Sequence, residues 1–157
     1  MDTNHDTKKL FMYAILCLSL AVGLSSGVFS NYFKAVFAID SVQRGLLEIP
    51  RETPGILCVV ILTALSGIGN LSLMVMAYGF CTLGLAVLGL LSPSYFIMQI
   101  FLFFFSLGEH MMMPLRDSIA MDLSGEGKTG TFLGQLKGKR AFLWNAQRNT
   151  LESEVIF

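Results

Sequence analysis

Apolar residues in this chain come in long unbroken blocks, not in periodic stripes. Residues 10–30, 71–91 and 95–114 each run for about 20 residues, the length a helix needs to cross the hydrocarbon core of a bilayer. Such blocks leave few alternatives to a membrane protein. Composition agrees, with 54% hydrophobic and only 14% charged residues, against roughly 25% charged in a soluble domain. A formal net charge of zero removes the electrostatic basis for binding nucleic acid. Cys17, Cys58 and Cys81 stand singly inside apolar blocks, with no spacing that points to a metal site or a disulfide framework. The first block follows Lys8 and Lys9. It is longer than the apolar run of about 7–15 residues in a signal peptide, and further blocks follow it. It reads as a retained helix.

The stretch between the first and third blocks is harder. Its apolar core, residues 55–67, has 13 residues, too few to span. Asp40-Ser41 offers an N-cap, and a helix over residues 41–67 would be about 40 Å long. That helix encloses Glu48, Arg51 and Glu52 together with Pro50 and Pro54. Arg44, Glu48, Arg51 and Glu52 then share one helix face. Charges of alternating sign on one face pair with each other. They are still expensive in lipid and belong against a bundle interior or a water-filled cavity. The other reading puts Glu48 to Glu52 in an outer loop and starts a short helix at Gly55, with Pro54 in its first turn.

The resulting expectation is an all-α, polytopic integral membrane bundle of four transmembrane helices over 10–30, 41–67, 71–91 and 95–114. Short turns make antiparallel hairpins of the later helices. Residues 1–9 form the N-terminus and 115–138 a loop, with LRDSIAMDL as a possible extension of the fourth helix. Residues 139–157 form an aberrant polar tail. Lys and Arg set the orientation. With the N-terminus inside, Lys8, Lys9, Arg116, Lys128, Lys137, Lys139, Arg140 and Arg148 lie inside and Lys34, Arg44 and Arg51 outside. The predicted location is the cell membrane, with a cytoplasmic N-terminus. The tail has two readings. Either Phe132, Leu136, Leu143 and Trp144 form an amphipathic interfacial helix, or it has no structural duty.

Ser19, Gly23 and Gly27 form a small-residue stripe on the first helix, suited to close helix packing. Ala77, Cys81 and Gly84 do the same on the third. Either set also suits the lining of a path. Glu109-His110 lies deep in the fourth helix. A carboxylate beside an imidazole, which titrates near neutrality, is a reasonable proton-coupling pair or a packing pair. Arg116-Asp117 reads as a structural charge pair at the inner interface. SGEGKTG imitates a phosphate loop, but Asp122 stands where the pattern needs Gly, and a membrane helix precedes it where a strand is required. Glu109-His110 lacks the second histidine of a zinc-protease motif. No catalytic set, metal site or cofactor is indicated, and an enzyme is not expected.

Several stretches resemble the N-terminal part of a major facilitator superfamily transporter. They are the glycine-rich first helix AVGLSSGVFSNYFKAVF, the QRGLL at the start of SVQRGLLEIPRETPGILCVVI, and PLRDSIAMDLSGEGKTGTFLGQLKG after the fourth helix. The resemblance covers residues 8–138. The turn SGIGNLSL lacks the Asp and basic residues that the family carries between its second and third helices. The family is built of two six-helix halves with a site at the midplane between them. The resemblance implies secondary transport of a small solute by alternating access. Glu48, Arg51 and Glu52 would line the outer half of the cavity, and Glu109 and His110 the inner half, as substrate-binding or proton-coupling groups. The shift in composition after Gly138 reads as a truncated or frameshifted frame, leaving a fragment inactive by itself. The implied partners are the bilayer and the solute. The alternative is a small accessory membrane protein that binds partner helices through the Ser19, Gly23, Gly27 stripe. If the frame is broken, the DNA beyond codon 138 should continue, in another frame, with further apolar segments of about 20 residues. Sequencing the locus checks this.

Overall fold

A computed structural model describes residues 3–91, 94–125 and 127–154. All elements among the described residues are helical: α1 (Thr3–Phe37), α2 (Ser41–Ala64), α3 (Asn70–Leu90), α4 (Tyr95–Ser124) and α5 (Thr129–Glu154). Three carry stretches long and apolar enough to cross a membrane: Asp6–Phe29 of α1, Asn70–Leu90 and Tyr95–Ser124. Three of the four expected spans thus have the length and apolarity to cross a membrane. α2 is not among them, because Glu48, Arg51 and Glu52 lie in the part of the helix that its short apolar core would need to reach spanning length.

Asp40 fixes where α2 begins. Its Oδ1 accepts from the backbone N–H of Gln43 at 2.7 Å, and Gln43 Oε1 accepts from the Asp40 N–H at 3.1 Å. This reciprocal capping box satisfies two of the donors that a helix start leaves open. It commits the chain to helix well before Gly55, so the outer-loop reading of Glu48 to Glu52 does not hold. Pro50 and Pro54 sit inside the helix and withhold two N–H groups from its ladder.

The chain divides into two compact units, residues 33–119 and residues 1–32 with 120–157. In the first, α4 is the shared element. Gly108 approaches α3 so closely that a Cβ there would press on the carbonyl oxygen of Ala77 and stand 2.8 Å from the backbone nitrogen of Cys81. Gly84 meets α4 in the same way, its Cβ position 2.7 Å from the backbone nitrogen of Phe105 and 2.8 Å from the carbonyl of Phe101. Glycines on both helices let the two backbones touch, the usual device of membrane helix pairs. The contact runs antiparallel, from Asn70 Nδ2 donating to Ser118 Oγ at 2.9 Å to Cys81 Sγ donating to the Phe105 carbonyl at 3.3 Å. Ala77, Cys81 and Gly84 are buried there, as packing residues. Leu88 and Met98 are fully buried in the same unit.

In the second unit, α5 lies along the first part of α1. Residues 115–138 were expected to be a loop, with LRDSIAMDL as an extension of the fourth helix, and 139–157 an aberrant polar tail with an interfacial helix as one of its two readings. The helical readings match the structure: α4 continues through Pro114 to Ser124, and α5 runs over Thr129–Glu154. Within the SGEGKTG stretch, Gly125 and Gly127 lie between the two helices at φ +76° and +73°, a region glycine enters without steric cost. Lys8 Nζ donates to the Ser124 carbonyl at 3.2 Å. Arg140 Nε donates to Ser19 Oγ at 2.9 Å, and Gln147 Nε2 to the Leu20 carbonyl at 2.7 Å. Gln147 also lies directly against Gly23. The stripe expected to receive a partner helix is therefore engaged, at Ser19 and Gly23, by the chain's own α5. On α5, Phe132 and Leu136 are buried while Trp144 is exposed.

Gly108→Ala should destabilise the α3–α4 pair by about 1–3 kcal/mol, since backbone cannot yield as a side chain does. Gly79→Ala, which meets open space, should gain about 0.5–1 kcal/mol of helix preference. Thermal unfolding of both variants in detergent checks the contrast.

Candidate functional site

The charged face of α2 meets α4, and the two helices run parallel where they touch. Arg51 pairs with Glu48 one turn earlier, Nη1 to Oε1 at 3.3 Å. The carbonyl of Arg51 accepts a short hydrogen bond from Ser106 Oγ of α4. One turn further along both helices, His110 Nε2 lies 4.0 Å from Glu52 Oε2. The imidazole fits there because of Gly55. A Cβ at Gly55 would stand 2.9 Å from His110 Cδ2 and 3.0 Å from Nε2, so the ring lies on bare backbone. His110 Nδ1 is held on its own helix, 2.9 Å from the Ser106 carbonyl and 3.1 Å from Ser106 Oγ.

The structure thus joins what the sequence reading kept apart. Glu52 and His110, assigned above to the outer and inner halves of a cavity, lie 4.0 Å apart. Glu48 and Arg51 adjoin them. Glu109 precedes His110 by one residue, so it projects about 100° away around the helix. It is half-buried. Arg116 and Asp117 form a local pair, Nε to Oδ1 at 3.0 Å, with the arginine side chain only 11% exposed. Two residues of the site, Ser106 and Gly55, had no sequence signal beyond their type. A serine in an apolar helix and a glycine after a proline are both common in membrane segments.

The polar groups divide by exposure. The side chains of Glu48, Arg51 and Glu52 are 53%, 52% and 65% exposed, while that of His110 is 24% exposed. The cluster is therefore built on a packed helix contact and opens to one side. Among the described residues no group of three or more His, Cys, Asp or Glu side chains is placed to hold a metal ion. No family model, curated protein or solved structure matches the chain.

Gly55→Ala should displace the imidazole and leave the fold intact, because the atoms it meets are the end of a side chain. The variant should unfold within about 1 kcal/mol of the parent. Its His110 ring resonances should move markedly in a nuclear magnetic resonance spectrum.

Proposed function

We propose that this chain supplies one wall of a solute pathway in a membrane transporter of the major-facilitator type, working by alternating access. One observation carries the reading: a charged, half-exposed face on α2 packed beside helices apolar enough to span. Groups so exposed would be costly against lipid and are retained where they meet water or other helices. The kink-permitting prolines of α2 suit a helix that changes shape. Glu52 and His110 are the central solute- or proton-handling groups, Arg51 and Glu48 flank them, and Glu109 belongs to the same level of α4. Three spans do not enclose a pathway. Transport therefore needs further helices, and this chain in isolation is inactive. The location proposed is the cell membrane with the N-terminus on the cytoplasmic side, on the balance of Lys and Arg.

The test is accessibility. With Cys17, Cys58 and Cys81 replaced by serine, Glu52→Cys should react with a membrane-impermeant charged thiol reagent in sealed vesicles, and Val60→Cys should not. Equal protection of both positions would sink the pathway reading. The isolated chain in proteoliposomes should show no solute uptake above that of empty vesicles.

A further inference from the structure

Hydrogen-bond polarity fixes how His110 presents itself. The Ser106 hydroxyl has a single proton, and it goes to the Arg51 carbonyl, which can only accept. His110 Nδ1 sits 2.9 Å from the Ser106 carbonyl oxygen and 3.1 Å from the Ser106 hydroxyl oxygen. Neither oxygen has a proton left to offer, so Nδ1 carries the hydrogen. A neutral ring with its hydrogen on Nδ1 has a bare lone pair on Nε2. That lone pair faces Glu52 Oε2 across 4.0 Å.

When the ring is neutral, two acceptors look at each other, and one belongs to a carboxylate. Neighbouring charge does not relieve them. The guanidinium of Arg51 is committed to Glu48, and among the described residues no lysine or arginine forms an ion pair with Glu52. The gap opens outward, since Glu52 is 65% exposed.

We propose that this pair of acceptors is a clasp for a primary ammonium group on the transported solute, an inference that rests on the pathway reading above. A nitrogen about 2.8–2.9 Å from each acceptor fits across a gap of this width. An ammonium offers three donors and no acceptor, so it satisfies both groups and neutralises the carboxylate. An anion is repelled by Glu52. A quaternary ammonium has the charge but no hydrogen to donate. A metal ion finds only two ligands here, with no cluster of three among the described residues.

The experiment uses the full chain in lipid nanodiscs, with His5→Ala so that His110 is the single imidazole, labelled with nitrogen-15. At a pH where the nitrogen-15 spectrum itself shows the ring neutral, methylammonium chloride should shift the Nε2 resonance saturably, and tetramethylammonium chloride should leave it in place. Glu52→Gln should weaken the methylammonium response by about tenfold or more. The Nδ1–H signature should persist in that variant, which shows the site still folded. An equal response to both salts, or to neither, overturns the clasp and leaves the pair a proton site at most. Thiol labelling of Glu52→Cys separates the two levels. A labelled position without methylammonium binding sinks the clasp alone, and an unlabelled position sinks the pathway reading and the clasp together.

Discussion

The contact between α3 and α4 is the constraint on which unit 33–119 depends. Gly108 and Gly84 remove the side chains that would hold the two backbones apart. At that separation dispersion contacts accumulate over the length of both helices, and in lipid this packing replaces the hydrophobic drive that water would provide. The Cys81 thiol and the Asn70 amide add hydrogen bonds at two levels of the same seam. With α4 fixed from one side, its other face is available to α2, and Ser106 and His110 are on that face.

The polar contact between α2 and α4 has a different character. Its members satisfy one another in sequence, from the His110 ring to the Ser106 hydroxyl to the Arg51 carbonyl. A chain of donors and acceptors of this kind is rigid because each partner has one role left to play. The carboxylate of Glu52 stands at its end, 4.0 Å from the distal nitrogen of His110. Gly55 is what permits that approach, so a residue with no chemistry of its own sets the position of the residue that has most.

Much of this was legible beforehand. Length and apolarity identified three helices able to span a membrane, and Asp40-Ser41 marked the start of α2 because a cap is a local event. The register of Ala77, Cys81 and Gly84 identified the packing face of α3. Residues 41–67 differ from the other expected spans: α2 is long enough but carries Glu48, Arg51 and Glu52 within it. The helix over residues 129–154 was one of two readings open to the sequence, and its packing on α1 was not foreseen. Its residues are polar, and it is held by specific bonds to α1 through Arg140 and Gln147, which no local pattern announces.

Sequence alone determined the helical class, the membrane-compatible segments and the inventory of charges, because these follow from backbone hydrogen bonding and from the energy of moving side chains out of water. Only tertiary structure decided which polar groups meet. Glu52 and His110 are 58 positions apart in sequence, and their adjacency depends on the register of two helices that pack in parallel. Register is set by where small residues allow close approach, here Gly55 against the imidazole and Gly108 against α3. That choice is made by packing between segments, and no window of sequence contains both sides of it.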